Sequence, residues 1–85
     1  MMQDVVEVRF VKDKILYLRF DDGTEGNVDL AMHIKFTRIF APLCDEKIFK
    51  SVFVNQEAGT ICWPNDADLC PDTLYQWIEQ NRKVA

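Results

Sequence analysis

The residue types best suited to chemistry are crowded into one segment, between residues 60 and 75. It contains two thiols and three carboxylates: Cys62, Asp66, Asp68, Cys70 and Asp72. Carboxylates in a short loop suit a hard cation, but an EF-hand loop that began at Asp66 would need glycine where Pro71 stands and glutamate where Trp77 stands. We therefore predict no calcium site of this kind.

The cysteines indicate neither a zinc site nor a disulfide framework. Cys62 and Cys70 are separated by seven residues, which is not the spacing of a zinc finger. Cys44 makes the number of cysteines odd and no two form a CxxC pair, so we expect free thiols in a reducing compartment. We predict no bound metal, with buried cysteines acting as small hydrophobic side chains.

The sequence contains few residues that could act in catalysis. A nucleophilic thiol or hydroxyl needs an adjacent base, and the sole histidine, His33, lies between Met32 and Ile34. The three glycines are too scattered to form a phosphate-binding loop. We predict no catalytic residue, no cofactor and a protein that is not an enzyme.

A structural role explains the segment around residue 65 more fully. Trp63 offers a large ring to bury at the end of a strand, and Pro64 stops the pairing of that strand. Polar side chains then turn the chain into a helix that begins near Pro71. Such a strand-to-helix joint can also serve as a binding surface. Its candidate residues are Trp63, Asn65, Asp66, Asp68, Asp72 and Tyr75.

Charge and hydropathy narrow the classes of partner. The net charge of −4 lacks the positive footprint that nucleic-acid binding requires. The N-terminus resembles neither a signal nor a transit peptide. No apolar run approaches the roughly 20 residues of a membrane span. We expect a cytoplasmic protein that binds neither nucleic acid nor membrane.

Alternating apolar residues predict an N-terminal meander. Its strands are residues 4–12, 15–20 and 24–30. A three-residue turn with Gly23 in the left-handed conformation sets Leu16 opposite Val28 and Leu18 opposite Gly26, which keeps apolar side chains together. The predicted core face is Val6, Val8, Phe10, Leu16, Leu18, Phe20 and Val28. The opposite face carries a second set of candidate binding residues: Val5, Val11, Ile15 and Tyr17. These are either scattered surface residues or a face that a helix or a partner covers.

The remaining elements are shorter. Residues 31–41 fit a helix that Pro42 ends, and a helical turn follows near residue 46. A hairpin uses the strands in "SVFVN" and "TICW", and a last helix spans residues 71–82 with Leu74, Trp77 and Ile78 as its apolar stripe. We predict one α+β domain over residues 1–85: a small antiparallel sheet, comprising the meander and a further hairpin, packed with two or three short helices.

Several motifs resemble the bacterial family called domain of unknown function 2442. They are "F-DDG" at 20–23, "VDL" at 28–30, "L" at 43, "IF-V" at 48–52 and "I-WPN-ADL-PD-LY" from Ile61 to Tyr75. The resemblance spans about residues 5–75 and implies a small α+β domain with no established activity and no catalytic residues to transfer. Asp66 stands where that family usually has glycine, which implies a left-handed backbone that Asp tolerates moderately well.

The resemblance also bears on partners. Some relatives carry a helix-turn-helix domain after the tyrosine, and others resemble halves of toxin–antitoxin gene pairs. Only ten residues follow Tyr75 here, so we expect no such DNA-binding domain. We expect an interaction or regulatory module, antitoxin-like, that binds another protein such as a neighbouring gene product, with a homodimer as the competing assembly. The alternative function is small-ligand or metal binding by the acidic loop of residues 65–72.

Overall fold

A three-stranded antiparallel meander forms the first third of the chain in a computed structural model, which describes residues 3–84 and the side chains of residues 3–80. β1 spans Val5–Lys12, β2 spans Ile15–Phe20 and β3 spans Glu25–Asp29, paired in that order. The three strands confirm the predicted meander. Burial alternates along β2, where Leu16, Leu18 and Phe20 are buried and the residues between them are half-buried.

The β2–β3 turn has the predicted geometry. The Phe20 N–H donates to the Thr24 carbonyl at 2.8 Å, and Gly23 has a φ of +88°. This three-residue turn sets Leu16 opposite Val28 and pairs Leu18 with Gly26. The predicted register is therefore confirmed, since glycine adopts the left-handed conformation at this turn without steric cost.

The start of β1 differs from the predicted strand. Val5, not Val6, lies opposite Phe20, because an irregularity between Val5 and Glu7 shifts the register by one residue. Val5 is 2% exposed and Val6 is 42% exposed, so Val6 is wrong as a core residue and Val5 is wrong as an outer-face residue. The Val5 N–H donates to the Gly59 carbonyl at 2.9 Å, a contact from a distant turn that strand alternation does not reveal.

The helix predicted over residues 31–41 is wrong. Two 3₁₀ helices, Leu30–Met32 and Arg38–Cys44, flank a stretch without regular secondary structure, and Pro42 lies inside the second helix. Arg38 has a φ of +54°, which no α-helix accepts. Met32 is 79% exposed, so the apolar periodicity did not mark one buried face. A segment this short depends on tertiary contacts for its conformation.

The second half of the chain adds a hairpin and two α-helices. α1 spans Glu46–Phe49, β4 Phe53–Asn55, β5 Thr60–Cys62 and α2 Pro71–Val84. These elements confirm the predicted helical turn, hairpin and last helix. The fold is thus α+β, with a three-stranded and a two-stranded antiparallel sheet. No helix in the part of the chain that the structure describes is long and apolar enough to cross a membrane.

The core lies between the inner face of the meander, the hairpin and α2. Leu16, Leu18 and Phe20 of β2 are fully buried, and Leu74 and Ile78 of α2 join the same cluster. The helix approaches β3 closely at a glycine. A Cβ atom on Gly26 would lie 3.1 Å from the Ile78 side chain. Close packing of this kind holds the C-terminal helix, and therefore the joint before it, in place.

Candidate functional site

The turn after β5 is built on a buried tryptophan. Trp63 is 1% exposed, and its indole N–H donates to the Phe49 carbonyl at 3.0 Å. The Trp63 backbone N–H donates to the Ala67 carbonyl, and its carbonyl accepts from the Asp66 N–H, both at 2.9 Å. Burial of the ring confirms the structural role predicted for Trp63 and removes its side chain from the candidate binding surface.

Asn65 ties this turn to the second 3₁₀ helix. Its amide nitrogen donates to the Ile39 carbonyl at 3.0 Å, while its amide oxygen accepts from the Ala67 N–H at 3.2 Å. Asp66 follows with a φ of +69°, which confirms the left-handed backbone that the family resemblance implies at this position. A left-handed non-glycine residue costs conformational energy, and the surrounding hydrogen bonds hold it there.

An exposed apolar groove opens beside Asn65. It has a volume of about 450 Å³, and its lining comes from the second 3₁₀ helix, the α1 region and the turn after Trp63. The lining residues are Pro42, Lys47, Ile48, Ser51, Pro64 and Asn65. Ile48 is 37% exposed, and Ile39, whose carbonyl Asn65 holds, is also exposed. We call this feature the proline groove.

The charged side chains near the proline groove differ in whether they have a bonding partner. The Asp45 carboxylate caps α1 by accepting from the Lys47 backbone N–H at 2.9 Å. Glu46 faces Lys50, with 3.8 Å between the carboxylate oxygen and the ammonium nitrogen. Among the side chains that the structure describes, no carboxylate lies within ion-pairing distance of the Lys47 ammonium. The groove therefore carries one cation without an internal counterion.

A cluster of hydrogen-bonded side chains joins the β2–β3 turn to α2. The Tyr75 hydroxyl donates to the Asp22 carboxylate at 2.7 Å and lies 3.2 Å from the Thr24 hydroxyl. The Tyr75 ring also packs edge-on against Phe20, with 5.0 Å between centroids. We call these hydrogen-bonded residues the tyrosine latch.

The latch shifts the pKa values of its two titratable groups. The N–H of Thr24, followed by the hydroxyl of Tyr75, holds the pKa of the Asp22 carboxyl below its ordinary value. The Thr24 hydroxyl acts to lower the pKa of Tyr75, but the bond to Asp22, burial and nearby carboxylates together raise it. The hydrogen bonds of the latch therefore favour an ionised Asp22 beside a neutral Tyr75.

The outer face of the meander is a charged network rather than a bare apolar surface. Glu7 bridges Arg9 at 2.9 Å and Arg19 at 3.1 Å. The Arg9 guanidinium lies 4.7 Å above the Tyr17 ring, and the Tyr17 hydroxyl donates to Glu25 at 2.9 Å. The bond to Glu25, then burial and nearby carboxylates, raises the pKa of Tyr17. Polar contacts therefore occupy much of this face.

The apolar candidates on the outer face lie apart from the proline groove. Val11 is exposed, and Ile15 and Tyr17 are half-buried. Val5 is not on this face. None of the outer-face candidates lines the groove.

The acidic loop gathers no ligand set. Asp66, Asp68 and Asp72 are all exposed, and Asp68 forms an isolated bridge with Cys62 through the backbone. Within the described residues no three His, Cys, Asp or Glu side chains are arranged to hold a metal ion.

The cysteines are also placed differently from expectation. All three are free, but Cys44 and Cys70 are exposed and Cys62 is only half-buried. The prediction that they act as buried hydrophobic side chains is therefore wrong for Cys44 and Cys70.

Sequence reasoning found one groove residue, Asn65, and missed the lining that comes from the middle of the chain. One signal was present: Ile48 and Phe49 are adjacent in a four-residue helix, so both cannot face the core. Phe49 is fully buried and Ile48 faces outward. The approach of Pro42 to Pro64 has no signal in the sequence, because those residues meet only through the tertiary fold.

Comparison with known proteins gives one match. The model of a family described as "Protein of unknown function (DUF2442)" matches residues 5–80. Neither the curated proteins nor the solved structures contain a match to the chain.

Proposed function

The chain belongs to the family described as protein of unknown function (DUF2442), and on this premise we propose that it is a cytoplasmic, non-enzymatic protein-interaction module. Its partner is another protein, which we propose to be the product of a neighbouring gene in an antitoxin-like pair. The surface that binds is the proline groove. The observation that carries this proposal is an exposed apolar groove whose walls are held by the hydrogen bonds of Trp63 and Asn65.

The groove is suited to a protein partner because it is preformed. The indole of Trp63 anchors one wall to α1 through the Phe49 carbonyl, and Asn65 anchors it to the Ile39 carbonyl. Binding then requires little ordering of the groove itself, which lowers the entropic cost of association. Exposed apolar side chains such as Ile48 would be removed from water by a partner, and this burial drives most protein association.

A non-enzymatic role is supported by the surroundings of the sole histidine. The His33 ring stacks face to face on Trp77, with 4.2 Å between centroids and 10° between planes. This exposed imidazole packs on an indole, which is a structural contact for a surface histidine. The negative net charge supports a partner other than nucleic acid.

The proposal is tested by comparing two surface variants with the wild type. Ile48→Asp places a charge in the proline groove, and Val11→Asp places the same charge on the outer face of the meander. Each tagged chain is used to capture partners from cells that produce the protein, and the stoichiometry is measured by mass spectrometry. We expect a stoichiometric protein partner with the wild type and Val11→Asp, and its loss with Ile48→Asp.

Two outcomes would overturn the proposal. Loss of the partner with Val11→Asp, but not with Ile48→Asp, would move the binding surface to the outer face. Recovery of the chain alone, with light scattering that gives twice the monomer mass, would replace the partner by a second copy. Circular dichroism melting curves establish that both variants are folded.

A further inference from the structure

We infer that the proline groove binds a short apolar peptide segment carrying an acidic residue, which pairs with Lys47; this inference rests on the function proposed above. It specifies the chemistry of the partner, which the presence of an apolar groove alone does not. Three features support it: the size of the groove, the rigidity of its walls and the isolated charge on its rim.

The size of the groove fits a peptide segment better than a whole subunit. Its volume of about 450 Å³ lies within the roughly 300–1,000 Å³ range of sites that enclose small ligands. An interface between two globular subunits buries roughly 1,200–2,000 Å² in total, which requires a broad surface. A groove lined by six residues accommodates one or two anchor side chains of an extended or helical segment.

The walls of the groove are fixed by contacts that do not involve its apolar surface. Trp63 and Asn65 hold the turn through carbonyls of α1 and the second 3₁₀ helix, so Pro64 presents its ring without depending on a bound partner. The Ser51 hydroxyl donates to the Ile48 carbonyl and closes the end of α1. Apolar side chains therefore stand on rigid backbone, as an anchor site requires.

The charge on the rim decides which segment fits. Lys47 is exposed and lines the groove, and no described carboxylate pairs with its ammonium. The two acids before it are engaged, since Asp45 caps α1 and Glu46 faces Lys50. A segment with an acidic residue beside its apolar anchor would meet Lys47 with opposite charge, whereas a basic segment would meet repulsion.

The test uses a phage-displayed library of random dodecapeptides selected on the wild-type chain and counter-selected on Ile48→Asp. We expect enriched sequences with a large apolar residue within a few positions of Asp or Glu. A synthetic peptide with the enriched sequence then gives dissociation constants by fluorescence anisotropy. Because a single exposed ion pair is weak, Lys47→Gln should raise Kd by about two- to fivefold.

Charge reversal gives the stronger measurement. Lys47→Glu should raise Kd by roughly tenfold and should prefer a peptide in which the acid is replaced by lysine. Lys35→Glu makes the same charge change at an exposed residue outside the groove lining, and Kd should stay at the wild-type value. Salt should weaken wild-type binding and leave binding to Lys47→Gln nearly unchanged.

The outcomes separate the two proposals. Peptides whose binding depends on Ile48 but not on Lys47, or whose consensus lacks an acid, would overturn the inference and leave the proposed function standing. A library without peptides that distinguish the wild type from Ile48→Asp would also overturn the inference, whereas the proposed function is overturned only by the capture experiment described above. Ile48→Ala, which removes most of the apolar side chain without adding charge, should weaken binding in the same direction, and circular dichroism melting curves check that each variant is folded.

Discussion

The motif from Ile61 to Tyr75 contacts the rest of the molecule at two places, and these two places differ in burial. At one, the Trp63 ring lies in the core and makes one hydrogen bond to the Phe49 carbonyl. At the other, the Tyr75 hydroxyl meets Asp22 at the surface, where water competes for the same bonds. Residues of one motif thus perform different physical tasks. Apolar burial carries most of the energy at the tryptophan, and hydrogen-bond geometry sets the alignment at the tyrosine latch.

The largest expected effect comes from removing the buried ring. Trp63→Ala should lower the free energy of unfolding by about 3–5 kcal/mol, because it leaves a cavity where the largest core side chain was. Trp63→Phe retains a six-membered ring but deletes the indole N–H. The Phe49 carbonyl then keeps only the longer bond from the Val52 N–H at 3.4 Å, so this substitution should cost about 1–3 kcal/mol. Urea denaturation followed by circular dichroism measures both. Equal stability of Trp63→Ala and wild type would contradict the conclusion that burial of the Trp63 ring stabilises the fold.

A smaller loss should follow from cutting the link between the turn and the second 3₁₀ helix. Asn65→Ala removes the bonds to the Ile39 carbonyl and the Ala67 N–H, and should lower the unfolding free energy by about 1–2 kcal/mol. Asn65→Asp serves as the matched control. Its carboxylate still accepts from the Ala67 N–H but cannot donate to the Ile39 carbonyl and repels that oxygen, so this variant perturbs the Ile39 contact alone. Asn65→Asp with wild-type stability would show that the Ile39 contact contributes nothing.

Substitutions of the left-handed residue Asp66 should change stability still less, and glycine and alanine should act in opposite directions. Asp66→Gly relieves the strain of a φ of +69° but increases the freedom of the unfolded chain, so the net stabilisation should be about 0.5 kcal/mol. Asp66→Ala keeps the Cβ atom and loses the local hydrogen-bonding ability of Asp, so it should destabilise by up to about 1 kcal/mol. Thermal denaturation ranks the variants. A less stable Asp66→Gly would contradict the conformation assigned to this turn.

The smallest effect concerns the surface joint and depends on pH. The lowered pKa of Asp22 means that its ionised form stabilises the fold above its unfolded pKa, about 3.9. This contribution disappears as pH falls through the lower folded value. The stability difference between the wild type and Asp22→Asn should therefore be constant near neutrality and shrink below about pH 4.

The alkaline side of the latch has the opposite sign. The raised pKa of Tyr75 means that its neutral form stabilises the fold below its unfolded pKa, about 10, and this contribution is lost as pH rises through the folded value. Tyr75→Phe should remove this alkaline loss. Urea midpoints across the pH range measure both differences. A stability difference between variant and wild type that stays constant from acid to alkaline pH would show that the tyrosine latch does not stabilise the fold through these two titratable groups.

Prediction from sequence succeeded where short-range pattern determines structure. Gly23 in a three-residue turn sets the register of β2 against β3, and Asp45 followed by Glu46 marks the start of α1. It failed at Val5 because the bulge that turns this residue inward is supported by the distant Gly59 carbonyl. The candidate site was only partly predictable for the same reason.

The sequence by itself determined the α+β class, the strands of the meander, the hairpin, the last helix and the structural role of Trp63. These features follow from alternation, turn residues and capping, which act over a few neighbouring positions. Only the tertiary structure decided the path of residues 30–45 and the proline groove. Lys14 reaches the Cys44 carbonyl and Asn65 reaches the Ile39 carbonyl, so the conformation of that segment depends on side chains far away in the sequence. Local propensity contains no information about such partners, because they become neighbours only when the core has formed.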